Sequence, residues 1–254
     1  MTRTVLALVA AISIVAKARE ASAQTIARGV DGVRDGVVLM TFAARPGVCG
    51  NSNGSIWTRD TWRGTGSMDY SRACENGPVR VSLGRADGVT ISVRVFVGGA
   101  WHANSSETDL GVVPPAEAAR YMIAVARTIG GRSGSDAVSA AALADAPDVG
   151  PDLVTLVRDG KAPLDARKQA LYWAGQTTIP TRDLAQLYEG LDAFSLREHF
   201  VFVISQRRDD VAVDRLIDVA RHDADMEIRK RAMYWLGQTN DPRATKFLRD
   251  LVTR

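Results

Sequence analysis

The sequence predicts an α+β protein, a small N-terminal β-rich domain followed by a C-terminal α-solenoid of stacked helix pairs. Three observations lead there. Residues 79–97 alternate apolar and polar side chains around Ala86-Asp87-Gly88, the pattern of a hairpin. Near Leu110 the apolar spacing changes from two residues to the three or four of a helix, and it stays helical to the C-terminus. Finally, "ARKQALYWAGQT" (166–177) returns as "IRKRAMYWLGQT" (228–239), identical at eight of twelve positions and 62 residues apart.

The N-terminus reads as a signal peptide over 1–23. Arg3 precedes the apolar run "VLALVAAISIVA" (5–16), and Ala21-Ser22-Ala23 has the small-residue spacing of a cleavage site before Gln24. Lys17, Arg19 and Glu20 lie between the run and that site, so Ala16-Lys17-Ala18 is a second candidate. The alternative is an amphipathic helix that stays attached. The run is shorter than the ~20 residues of a membrane-spanning helix, and no later run could anchor the mature chain. Export to the periplasm or the medium is therefore expected, with no membrane span after cleavage. The two cysteines, Cys49 and Cys74, fit that compartment as a disulfide closing a loop of about 25 residues, worth on the order of 3 kcal/mol. The other reading is a pair of buried thiols.

Residues 24–112 read as β. "GVVLMTFAAR" (36–45) is rich in β-branched and apolar residues. In the second hairpin run Val89, Ile91, Val93 and Val95 share one face, with Thr90, Ser92, Arg94 and Phe96 on the other. The stretch between, crowded with Gly, Asn, Ser and Asp, reads as a long connection with one short strand at Ser55–Arg59, tied down by the disulfide. Pro114 and Pro115 then open a connecting helix within 113–134, closed by Gly130-Gly131.

The solenoid is expected over 135–254, in about four helix pairs. Halfway between the doubled phrases stands "LREHFVFVISQR" (196–207). Aligning it places Arg167, Arg197 and Arg229 in one column, and Gln176, Gln206 and Gln238 in another, at spacings of 30 and 32. Gly175, Ser205 and Gly237 precede the glutamines, small enough for close approach of layers. Second helices align through Leu184, Val213 and Ala244, then Leu187, Leu216 and Phe247. A worn copy lies upstream, with Ala137–Asp145 as its first helix and Leu153 and Leu156 in its second. Helix pairs recurring about every 31 residues cannot bury an apolar face alone and must stack. Ser195 with Glu198 has capping-box spacing, Asp165 and Asp225 are placed to start the other copies, and Asp241-Pro242 supplies a cap and a first-turn proline.

The stretch "DMEIRKRAMYWLGQTNDPRATKFLRDL" is similar to the short HEAT-like repeat family, also known from phycobilisome lyases. Asp225, Ile228, Arg229, Ala232, Leu236, Gly237, Asp241, Pro242, Arg243 and Ala244 match its pattern in order, and the resemblance covers roughly 135–252. The middle copy departs from it, with Phe200-Val201-Phe202-Val203 in place of small residues and no following proline. The segment "ARPGVCG" resembles one in exported bacterial HEAT-repeat proteins. The resemblance implies stacked helix pairs and, by analogy with the lyases, a lyase-like activity as the least favoured reading.

No catalytic, cofactor-binding or metal-binding residues are assigned. HExxH and the phosphate-loop pattern are missing, and Gly64-Thr65-Gly66 is too short for a dinucleotide loop. His102, His199 and His222 are scattered, and His199 is expected on a solvent-facing helix position. Trp173 and Trp235 share a column with Val203, as packing residues do. The net charge of +3 is spread along the chain, which gives nucleic-acid binding no electrostatic support. What remains is surface: the outward column Thr155, Gln186, Arg215, Lys246 becomes basic toward the C-terminus and is expected to meet an acidic peptide or protein segment, with Gln186, Arg215 and Lys246 as contacts. The function expected is thus a non-enzymatic interaction scaffold, with saccharide or small-ligand binding by the β-rich domain, through Trp57 or Trp62, as the alternative.

Overall fold

The computed structural model describes residues 26–58, 74–102, 104–147 and 149–253. The proposed signal peptide, with both cleavage sites, lies outside these residues, as do Trp62 and Gly64-Thr65-Gly66. The fold is α+β. It divides into two compact units, Met1–Val149 and Gly150–Arg254.

In the first unit, a short helix α1 (26–31) leads into β1 (Gly36–Phe42). The strands β4 (Val79–Ala86), β5 (Val89–Val97) and β6 (Glu107–Val112) complete a four-stranded sheet ordered β5-β4-β1-β6. Only the β1–β6 pair is parallel. The β4–β5 turn falls on Asp87-Gly88, both with positive φ (51° and 79°), the conformation of a two-residue hairpin turn. Val38, Leu39 and Met40 are buried in succession on β1, as befits a central strand covered on both faces. On β5, Val93 and Val95 are buried as expected, but Val89 and Ile91 are exposed. Pairing with β4 is irregular opposite Gly84 and Arg85, and this bulge takes the tip of β5 out of the regular alternation. A small ladder joins β2 (Val48–Gly50) to β3 (Ile56–Thr58), where the sequence suggested a strand at 55–59.

Two helices belong to this unit. The helix α2 (Pro115–Ala126) packs on α3 (Gly131–Leu143), and α3 lies on β5 and β4. The alanine-rich face of α3 (Ala137, Ala140, Ala141, Ala142) is buried, and so are Val138 and Leu143. Such small side chains allow close approach to a sheet. Residues 137–145, read from sequence as the first helix of a repeat, therefore cover the sheet, and the compact unit runs to Val149 rather than closing before 135. The segment over 113–134 is likewise more than a connection, since α2 is part of this core.

The second unit holds most of α4 (Val149–Arg158), then α5 (Leu164–Gly175), α6 (Thr181–Ala185) with a 3-10 turn (Gln186–Gly190), α7 (Phe194–Ser205), α8 (Asp210–His222), α9 (Met226–Gly237) and α10 (Pro242–Val252). Packing follows two rows: α5 on α7 on α9, and α6 on α8 on α10, with α8 also against α7 and α9. Three helix pairs plus α4 fill this unit, against the expected four. Asp225 and Asp241 cap α9 and α10 by accepting from the backbone N–H of Glu227 and Arg243, each at 2.8 Å. The proposed Ser195–Glu198 capping box does not form. The helix α7 starts one residue earlier, at Phe194, and Glu198 pairs with Arg231 instead. Asp165 sits inside the first turn of α5 rather than at its cap, where its charge still suits the helix dipole.

Candidate functional site

The polar groups of the second unit mainly connect one layer to the next. Arg167 is 5% exposed, and its guanidinium donates to the Val157 carbonyl at 3.0 Å and to both Asp192 carboxylate oxygens at 2.8 and 3.3 Å. One layer on, Arg197 pairs with buried Asp223 at 3.4 Å. The arginine column thus reaches forward to an aspartate in the turn before the next first helix. Arg229, third in the column, donates instead to the Asp223 and Ala224 carbonyls of its own approach turn, at 2.6 and 3.3 Å. The Tyr188 hydroxyl also donates to Asp223, and burial together with that bond holds the phenol well above its usual range. It stays protonated as a donor and is no nucleophile.

The same forward reach recurs elsewhere. Glu198 of α7 pairs with Arg231 of α9 at 2.9 Å, and Phe202 packs on Trp235 with ring centroids 5.6 Å apart. A Cβ added at Gly175 would collide with Val203 Cγ1, so the glycine admits the next layer's valine. At Gly237 the nearest atom to such a Cβ is Leu248 Cδ1 at 3.9 Å. His199, expected to face solvent, is half-buried; its Nε2 is sealed from solvent without a hydrogen-bond partner, and burial first, then Lys168, lowers its pKa. Its column lies on the face of α7 turned to α5, which the helical spacing alone did not reveal.

The proposed contact column behaves differently from a basic surface. Gln186 is exposed at the start of the 3-10 turn. Arg215 donates to the Ala185 carbonyl at 3.1 and 2.9 Å and pairs with Glu189 at 2.8 Å and Asp218 at 2.9 Å. Lys246 pairs with Asp250 at 2.6 Å, and the Thr155 hydroxyl donates to the Pro151 carbonyl at 2.9 Å. Arg215 is thereby a tie between α6 and α8, and the cations of this column are matched inside the chain. Sequence reasoning missed the Ala185 and Glu189 acceptors of Arg215 because they lie 30 and 26 residues away on another layer.

In the first unit, Cys49 and Cys74 lie at disulfide geometry, with Cα atoms 5.4 Å apart. Arg80, buried among the strands, donates to the carbonyls of Gly98, Ala100 and Ser52 at 2.6, 3.0 and 2.9 Å, and lies 4.6 Å over the Trp101 ring. Glu75 accepts from the Gly99 backbone at 2.8 Å and the Ser52 hydroxyl at 3.1 Å. This arginine staples two loops, and its position on an alternating strand gave no sign of it. Trp57 is half-buried on β3. Among the described residues no helix is long and apolar enough to cross a membrane, and no group of three His, Cys, Asp or Glu side chains could hold a metal ion. No protein-family model, curated protein or solved structure matches the chain.

One surface pattern keeps the repeat register. Among the described residues the large exposed apolar side chains of the second unit include Leu164 (41% exposed), Phe194 (42%) and Met226 (57%). They are the first residues of α5, α7 and α9, spaced 30 and 32 apart. Scattered surface apolars need no explanation, but these occupy one column.

Proposed function

We propose that this chain is an exported interaction scaffold without catalytic function, in which a short HEAT-like α-solenoid binds a protein partner. The observation that carries the reading is the exposed apolar column Leu164, Phe194, Met226. An apolar position repeated at the period and left in solvent on one edge of stacked helices offers a ladder of anchors, whereas the polar side chains around it are matched within the chain. Layers in such a stack lie roughly 10 Å apart, close to one turn of a polyproline II segment, about 9 Å, in which every third side chain shares a face. A partner segment with an apolar residue at every third position fits that spacing. The contacts that recur one period apart support the solenoid, and the cysteine pair supports an oxidising compartment.

The test is capture from a cell-envelope extract by the immobilised full chain, with and without the triple substitution Leu164→Ser, Phe194→Ser, Met226→Ser. The positions are exposed, so the fold tolerates the change, and the captured protein should be lost. Capture that survives the triple substitution but disappears with Lys246→Glu would return the contact to the second-helix column and overturn the assignment.

A further inference from the structure

The side chains of α5 that look toward the next layer recur unchanged on α9. Arg167, Lys168, Tyr172 and Gly175 become Arg229, Lys230, Tyr234 and Gly237. On α5 this face is occupied, because α7 packs on it. Arg167 holds Asp192, Gly175 receives Val203, and Tyr172 is half-buried. On α9 no described helix takes that place. Tyr234 is 59% exposed, Gly237 is exposed, and among the described residues the guanidinium of Arg229 meets no forward carboxylate of the kind that Arg167 and Arg197 both have. A shallow depression of about 470 Å³ lies here, lined by Glu227, Lys230, Arg231, Tyr234 and Trp235.

A helix face turned only to water is expected to be polar. The α9 face instead keeps the tyrosine, the glycine and the cations that bind a layer on α5. Lys230 pairs with Glu227 and Arg231 with Glu198, whereas Arg229 meets only backbone carbonyls among the described residues, so the complement this face lacks is acidic. The occupied copy shows what that complement looks like: Asp192 in the turn, then the apolar helix over 194–205.

We propose that the outer face of α9 docks an α-helical segment of a partner protein, one that carries a carboxylate just before its first turn and a β-branched residue about three turns later. The carboxylate takes Arg229, and the β-branched side chain settles over Gly237 beside Tyr234. This proposal rests on the reading of the second unit as a protein-binding scaffold, but it assigns a face distinct from the apolar column on the helix starts.

The probe is a fluorescein-labelled synthetic peptide of residues 191–207, titrated against the full chain and followed by anisotropy. Saturable binding is expected. It should weaken at least about tenfold with Arg229→Asp, the loss typical of one charge-assisted pair, and recover when Arg229→Asp meets a peptide carrying Asp192→Arg. Tyr234→Glu, at an exposed position that leaves the fold intact, should abolish binding and serves if Arg229→Asp perturbs folding. Binding unaffected by Tyr234→Glu, or no binding at all, overturns the proposal. Concentration-dependent dimerisation of the full chain, removed by Tyr234→Glu, would also overturn it, by making a second copy the occupant. Peptide binding without capture from envelope extract would fail the scaffold reading alone, whereas capture that ignores Tyr234→Glu would fail the docking face alone.

Discussion

The helices α5 and α9 are written in nearly the same words and live in different surroundings. On α5 six residues are buried, Ala166, Arg167, Ala170, Leu171, Trp173 and Ala174; on α9 only Ile228, Ala232 and Leu236 are. Local geometry is shared: each carries an edge-to-face Tyr–Trp pair with ring centroids 5.3 Å apart. The difference therefore lies in the neighbours rather than in the helix. Ile and Leu in α9 replace the small Ala166 and Ala174 of α5, while the forward-facing residues stay the same. One phrase thus encodes a stacking surface, and burial decides how much stability each copy draws from it.

Substituting the tryptophans tests that contrast most severely. Trp173 is 7% exposed, and Trp173→Ala should cost about 3–5 kcal/mol in urea unfolding of the full chain. Trp235 is half-exposed and rests chiefly on Phe202, so Trp235→Ala should cost only about 1–2 kcal/mol. Equal costs would mean that the two copies are packed alike. The arginines come next. Arg167→Ala removes a buried guanidinium from a carbonyl and a carboxylate, a loss of about 2–3 kcal/mol, even though Asp192 itself is largely exposed and regains water. Arg229→Ala gives up bonds to two carbonyls at the edge of the unit and should cost about 1 kcal/mol or less.

Glycines sharpen the comparison, because the sign differs. Gly175→Ala drives a methyl into Val203 and should destabilise by about 1–2 kcal/mol after the gain in helix propensity. Gly237→Ala meets only Leu248 at van der Waals distance and should be neutral or stabilising by up to about 1 kcal/mol. Calorimetric melting of both variants checks the sign directly. A destabilising Gly237→Ala would show that the α9 face is already covered in solution.

What could be read from the chain follows the range of the physics involved. The hairpin at Asp87-Gly88, the helical period and the columns of Arg, Trp and Gly are local or periodic signals, and they placed the elements well. The unit boundary was harder, since the small residues Ala137 to Ala142 suit a repeat helix and a helix on a sheet equally. Only contact with β5 distinguishes them. The polar ties of Arg80 and Arg215 were invisible for a different reason. Arg80 donates to backbone carbonyls, and Arg215 reaches α6 through the Ala185 carbonyl, and a carbonyl carries no residue identity. The exposed column Leu164, Phe194, Met226 was present in the alignment all along, but burial is needed to see that these apolar positions remain in solvent.

The smallest effect concerns a titration. At equivalent inter-layer positions the α7–α9 contact carries Glu198 with Arg231, whereas the α5–α7 contact sets Lys168 near His199. Burial, then the Lys168 charge, lowers the His199 pKa, with Glu198 opposing. Arg231 of α9 is engaged by Glu198. A base with a depressed folded pKa favours the neutral form, so its contribution to stability is complete above the unfolded value near 6.5 and declines as pH falls below it. The urea midpoint of the full chain should therefore drop slightly between pH 7 and pH 5, and His199→Gln, which borrows the residue found at Gln169, should flatten that slope. An unchanged slope in the variant would move the titration elsewhere. A flattened one would make the α5–α7 contact the acid-sensitive seam of the stack.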